Sequence, residues 1–168
     1  LITNDDGIES PVLPLLVKWA QTLGEVTVVA PKSEQSGKSQ SIDFSRAVEI
    51  KRHDVGVACE AWAMDSTPAD CVRFALLGLK KRYDLVISGI NNGFNIGSDI
   101  LYSGTVSAAL EAVSLGARAI ALSTEPQGYD DAMAQMDRVM DYINERGLFE
   151  LHSAYNINIP REQGGEIR

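Results

Sequence analysis

No run in this sequence reaches the roughly 18 consecutive apolar residues that a membrane-spanning helix needs, so no membrane partner is expected. No secretory leader is recognisable either. The first residue is Leu1 rather than Met and lies inside what reads as a strand, so a few residues are expected to precede it. Cysteine occurs only as Cys59 and Cys71, without CxxC spacing and in apolar surroundings; both are expected to be reduced core residues of a cytoplasmic protein. His53 and His152 stand alone, and without a Cys/His cluster a zinc site is disfavoured. Positive charge is scarce: 15 Lys and Arg against 23 Asp and Glu leave a net charge of -8, which argues against gripping long nucleic acid through its phosphates. A small anionic ligand remains open if a metal or a helix start supplies local positive potential.

What is present fits one soluble domain: 168 residues, 45% hydrophobic and 23% charged, are enough to bury a core. The informative stretch is the first. Leu1, Ile2 and Thr3 read as a short buried strand that runs through Asn4 into Asp5, Asp6 and Gly7. In a continuing strand the two carboxylates would point to opposite faces, so they can share a site only if the strand stops and the chain turns, which Gly7 permits. Carboxylates this close raise each other's pKa unless a cation neutralises them, which makes a hard ion such as Mg²⁺ or Mn²⁺ the natural third party. The competing reading is an ordinary Asp-Asp-Gly turn with Asp6 capping the next helix, and these seven residues alone favour it.

Further along, residues 11–23 carry Leu16, Trp19, Ala20 and Leu23 at helical spacing and stop at Gly24. Residues 26–30 form an apolar strand, followed by a serine-rich polar loop over 31–41. Residues 42–51 and 55–64 read as two extended segments at a sheet edge. Thr67 and Pro68 open a helix as N-cap and first helical residue, with Val72, Ala75, Leu76 and Leu79 on one face. Residues 85–88 are a buried parallel strand that empties into 89–97, a segment too rich in Gly and Asn to be regular. A small-residue helix follows Ser103, Gly104 and Thr105, then a strand over 119–123. Met133, Met136, Met140 and Ile143 line one further helix, a stripe that belongs to a core. A last strand covers 155–160. Strands alternating with helices predict a three-layer α/β/α fold with a mostly parallel, Rossmann-like sheet.

In such sheets ligands sit outside the carboxyl ends of the strands. The acidic pair, the serine loop and the Asn/Gly segment all follow strands, so they should open on one edge. That edge offers two carboxylates, a serine hydroxyl and an asparagine amide oxygen, a plausible all-oxygen shell for a divalent ion. Beside it, Ser103, Gly104 and Thr105 begin a helix, which is a ready anion site, although simple N-capping would explain Ser103 and Thr105 alone. A metal next to an anion hole suits a phosphate ester.

Thr3-Asn4-Asp5-Asp6-Gly7, Ser36-Gly37, Thr67-Pro68-Ala69-Asp70-Cys71-Val72, Ser88-Gly89-Ile90-Asn91-Asn92-Gly93 with Asn95 and Gly97, Tyr102-Ser103-Gly104-Thr105-Val106, and Asn156-Ile157-Asn158-Ile159-Pro160 resemble the successive motifs of the SurE family, the survival-protein 5′/3′-nucleotidases. Each motif is weak alone; six in order are specific. The resemblance implies a metal-dependent phosphatase acting on nucleoside 5′- and 3′-monophosphates and, in some members, short polyphosphate. It implies one divalent ion per subunit, Mg²⁺ or Mn²⁺, with Ca²⁺ able to replace it in a crystal. By motif position the ligands would be Asp5, Asp6, Ser36 and Asn91. On chemical grounds Asp5 or Asp6 is the expected acceptor of the attacking water's proton. Asn92, Asn95, Ser103, Gly104 and Thr105 would border the substrate phosphate. A homodimer or homotetramer is implied too.

Two departures stand out. Family members continue beyond the 156–160 motif into a hairpin and C-terminal segment that help build the dimer and close the site, so residues 1–168 are expected to be one domain of a longer protein. The segment Glu9, Ser10, Pro11 replaces a glycine-containing version, with little consequence expected. The rival readings are a receiver-type phosphorylation switch and a module that binds nucleotide without chemistry. Ser88 and Gly89 stand where a receiver would carry its phosphate-accepting Asp, and no Lys ends the 119–123 strand. A dinucleotide-binding oxidoreductase is poorly supported, because the first turn has no GxGxxG.

Overall fold

A computed structural model describes residues 1–161. The strands are β1 (Ile2–Thr3), β2 (Thr27–Pro31), β3 (Ile50–Arg52), β4 (Glu60–Met64), β5 (Val86–Asn92), β6 (Ala119–Thr124) and β7 (Ala154–Ile159). They form one seven-stranded sheet in the order β3-β4-β2-β1-β5-β6-β7, parallel except for the β3–β4 pair. Between them lie α1 (Leu13–Ala20), α2 (Pro68–Arg73), α3 (Gly104–Ser114), α4 (Tyr129–Ala134), α5 (Met136–Glu145) and α6 (Leu148–Leu151). Among the described residues no helix is long and apolar enough to cross a membrane.

Strand alternation feeds two separate cores. Ile2, Val28, Ile87, Ile120 and Leu122 point to one face, where α1 and α5 close over them with Leu13, Leu16, Val17, Met136, Met140 and Ile143. Leu1, Val29, Val86, Ala119 and Ala121 point to the other, against Cys71 and Val72 of α2 and Val106, Ala108, Ala109 and Ala112 of α3. Thus helices cover both faces, as the βαβ pattern requires. The methionine stripe is core. Cys71 is fully buried, Cys59 is half-buried, and both are free thiols.

Several local expectations change: the segment expected over 55–64 pairs only over 60–64, and the helix opened by Thr67 is α only to Arg73 before a π-helical turn over Phe74–Gly78. The strand expected to end at Ser88 continues to Asn92, so Asn91 and Asn92 lie in β5, paired with Ser123 and Thr124 after a register shift. Pairing with β6 overrides the poor strand propensity of Gly and Asn. The helix expected to run from Met133 through Ile143 breaks at Gln135 into α4 and α5. Of the extended segment expected over 42–51, only the last part pairs, as β3; the preceding residues form a loop tied to α2, where Asp70 accepts from the Asp43 N–H at 3.0 Å.

Where β5 shifts register, Gly89 has φ +135° and its backbone lies against β6 so closely that a Cβ would run into the Leu122 carbonyl oxygen. Gly89→Ala therefore combines backbone strain with overpacking, and is expected to cost about 3 kcal/mol or more. Urea unfolding of the variant against the parent checks this; a loss under about 1 kcal/mol would contradict the close approach.

Candidate active site

The acidic turn is built by a residue that sequence reading passed over. Asn4 Oδ1 accepts the Gly7 N–H at 3.0 Å while its Nδ2 donates to the Gly7 carbonyl at 2.9 Å, closing the turn with one side chain. Gly7 takes φ +101°, and Ile8 N–H then bonds the Pro31 carbonyl at 2.7 Å at the end of β2. Asp6 does not cap α1. That helix starts at Leu13, with Val12 as its cap and no side-chain cap bond. The competing reading of the turn loses its helix.

Asp5 is buried, and its side chain is held by α3. The Thr105 hydroxyl donates to Asp5 Oδ1 at 2.6 Å and the Thr105 N–H to Oδ2 at 3.2 Å. Gly104 gives the carboxylate room, since a Cβ there would sit 2.8 Å from Asp5 Cβ. Asp6 is half-buried, accepts from the Tyr129 hydroxyl at 3.3 Å, and takes a backbone bond from Asn92. Burial is the chief cause that pushes both carboxyls up. Asp6 rises to about 6, with the Asp5 charge adding to it, while for Asp5 the Thr105 bonds oppose the rise. Among the described residues neither carboxylate forms an ion pair.

Ser36 reaches this edge on the loop after β2. Gln35 N–H donates to the Asp5 carbonyl at 2.7 Å, and the loop is tethered again by Ser39 N–H to the Tyr102 carbonyl at 3.1 Å. Farther on, Gln40 Nε2 bonds Glu111 Oε2 at 2.8 Å, and the Thr67 hydroxyl bonds the Ser41 carbonyl at 2.7 Å. Thr67 is also the N-cap of α2, as expected. Asn91 Nδ2 is committed to the Gly93 carbonyl at 2.7 Å, which fixes the amide and leaves Oδ1 as its acceptor end.

The residues expected at the substrate phosphate divide into two groups. Ser103 caps α3 by accepting the Val106 N–H at 3.1 Å, and Thr105 is spent on Asp5, so Gly104 N–H remains at the helix start. Asn92 Oδ1 accepts the Gln127 N–H at 3.1 Å. Asn95 is buried and clamped: its Nδ2 donates to Ser123 Oγ at 2.9 Å, its N–H to Asn158 Oδ1 at 2.8 Å, and its carbonyl accepts from Asn156 at 2.8 Å and Asn158 at 3.2 Å. Asn156 and Asn158, two apart on β7, share one side of that strand, a spacing visible in the sequence. Tyr129 gave no signal there.

Among the described residues no group of three or more His, Cys, Asp and Glu side chains gathers as metal donors. A cation here would therefore lean on the neutral oxygens of Ser36 and Asn91 beside the two carboxylates. The donor set suits one that is hard and divalent, because two partly desolvated carboxylates stand on adjacent residues and, among the described residues, neither has an ion-pair partner.

A family model described as "Survival protein SurE" matches residues 1–168. The chain belongs to the SurE family. A relative from Clostridium beijerinckii, described as 5′-nucleotidase SurE, is 41% identical over 175 residues, covering 100% of this chain and 69% of that protein. Another of the same description, from Legionella pneumophila subsp. pneumophila, is 39% identical over 171 residues, covering 100% of this chain and 66% of its own length. The crystal structure of the SurE protein from Aquifex aeolicus superposes with a TM-score of 0.80 at 35% identity, covering 96% of this chain and 65% of that one. The chain thus spans about two thirds of the length of its SurE relatives.

The carboxylate pair carries a pH signature. Folding raises the Asp6 pKa from 3.8 to about 6, so between those values the folded state holds a proton that the unfolded chain has released. Metal-free stability from this group therefore falls as pH rises through that window. Allowing for its partial exposure, Asp6→Asn should stabilise the metal-free protein by about 1–2 kcal/mol at pH 7.5 and leave it nearly unchanged at pH 4. Thermal unfolding in EDTA at both pH values checks this, with a rise in Tm of about 2–6 °C expected only at the higher pH.

Proposed function

We propose that this chain is the catalytic part of a divalent-metal-dependent phosphatase that hydrolyses nucleoside 5′- and 3′-monophosphates to nucleoside and phosphate, with short polyphosphate as a further substrate. The observation that carries the reading is the adjacent Asp5–Asp6 pair, partly desolvated and, among the described residues, without an ion-pair partner, with Asp5 packed on the start of α3. Asp5, Asp6, Ser36 and Asn91 would hold the ion, Mg²⁺ or Mn²⁺, which when bound polarises a phosphoryl group and makes water a better nucleophile. The family supports the substrate class, since both relatives above are described as 5′-nucleotidases. The fuller reading is a cytoplasmic homodimer or homotetramer acting on small nucleotides.

The two aspartates take different parts. Asp5 has both oxygens hydrogen-bonded by Thr105 and is the fixed member. Asp6, half-buried and held by the Tyr129 hydroxyl alone among the described side chains, is the less constrained member, and it takes the attacking water's proton as the water closes in line on phosphorus. The start of α3 meets the phosphate through the Gly104 N–H and the positive helix end, with Ser103 and Thr105 shaping it and Asn92 and Asn95 at its border. A carboxylate at Asp5 does two things a carboxamide cannot: it carries charge, and it accepts two hydrogen bonds while still offering lone pairs.

Phosphate release from AMP and 3′-AMP by the full-length protein, with Mn²⁺, Mg²⁺ or EDTA, tests the reading. EDTA is expected to abolish turnover, and Asp5→Asn to lower kcat/KM by about 100-fold or more. Activity that survives EDTA, or an undiminished Asp5→Asn enzyme, would remove the mechanism.

A further inference from the structure

The Ser36 hydroxyl donates to Glu34 Oε1 at 2.7 Å. The direction of that bond matters, because a serine hydroxyl has one proton and two acceptor lone pairs. With the proton given to Glu34, only lone pairs remain for any other contact. Both side chains are solvent-exposed, but the segment that carries them is anchored. Gln35, between the two residues, donates its N–H to the Asp5 carbonyl at 2.7 Å, which seats the Glu34–Ser36 segment on the acidic turn. Glu34 is also within electrostatic reach of the turn, since its charge adds to the upward push on both Asp5 and Asp6. Its own side chain has no cationic partner among the described ion pairs.

We propose that Glu34 is a positioning residue for Ser36: it takes the hydroxyl proton and so turns the serine oxygen into an obligate acceptor for a divalent cation. This rests on the metal-site reading above. A neutral hydroxyl is a weaker donor than either carboxylate, and one free to rotate samples orientations that aim its proton into the site before a cation arrives. A carboxylate acceptor on the far side removes the wrong orientation before the ion arrives. Carboxylates that orient metal ligands in this way typically contribute about 10–100-fold in metal affinity.

Two other roles for Glu34 would leave different marks. If it merely added negative charge, or bound the ion itself, then Glu34→Gln would be as damaging as Glu34→Ala, and the damage would persist without Ser36. If it orients Ser36, the glutamine amide oxygen still accepts the hydroxyl proton, and removing Ser36 removes the reason for Glu34. Mn²⁺ titration calorimetry on the full-length protein separates these. Glu34→Ala is expected to weaken Mn²⁺ binding by about 10–100-fold, with Glu34→Gln within about threefold of the parent. In a Ser36→Ala background, Glu34→Ala should cost nothing further, a coupling that nearly cancels the single-variant loss. Equal losses for Gln and Ala, or an undiminished loss in the Ser36→Ala background, overturn the proposal. A parent that binds no Mn²⁺, or an Asp5→Asn variant that binds it equally well, instead overturns the metal-site reading and this inference with it.

Discussion

Asp5 can be buried at the end of β1 because Thr105 gives it two hydrogen bonds and Gly104 gives it space. A carboxylate moved out of water without such partners costs several kcal/mol or protonates. Here the hydroxyl and the N–H come from one residue at the start of a helix, whose positive end favours negative charge. Much else follows from that contact. It brings α3 onto the end of β1, and it places the helix start beside the two carboxylates. Even the alanines of α3 serve it, since Ala108, Ala109 and Ala112 let the helix lie close to the sheet.

The polar loops are held by the same economy of short side chains. The serine loop, with little apolar content of its own, is tied down at Asp5, Tyr102, Glu111, Thr67 and Asp70 by hydrogen bonds rather than by burial. The segment after β5 is held from the opposite direction, where Asn156 and Asn158 grip the backbone of Asn95 and Ser123 takes its amide. The buried Glu111 is held on both oxygens, one by Arg73 at 2.7 Å and the other by the Gln40 amide at 2.8 Å. Breaking such ties leaves a buried polar group unpaired, which costs more than the bond itself contributes.

The layered α/β fold was legible because alternation and turn chemistry agree: apolar strands end in Gly or Asp, and helices open on Thr67-Pro68 and Ser103. The gathering of Asp5, Ser36 and Asn91 at one edge followed from strand direction alone, since β1, β2 and β5 are parallel neighbours. What escaped depended on partners distant in sequence. Asn91 and Asn92 look like loop residues and become strand only because β6 pairs with them. Tyr129 meets Asp6 across 123 residues, and nothing local in either segment announces it. The break at Gln135 was invisible because the apolar residues on both sides keep helical spacing. Asn4 was missed for the opposite reason: its bond is local, but its neighbours Asp5 and Asp6 drew the chemical reading.

The bond between Thr105 and Asp5 spans 100 residues, and this sets an order on how the protein is made. The acidic turn is synthesised before its partner, and the helix that seats the partner, α3, forms only after its residues have been made. At about 5–20 residues per second, ribosomal synthesis separates them by roughly 5–20 s. Throughout that interval both carboxylates remain hydrated and ionised, because the helix that buries one of them does not yet exist. The strand leading into them can take its place between β2 and β5 only once β5 has been made. Assembly of the site therefore waits on β5 and α3, not on the strand that carries the aspartates.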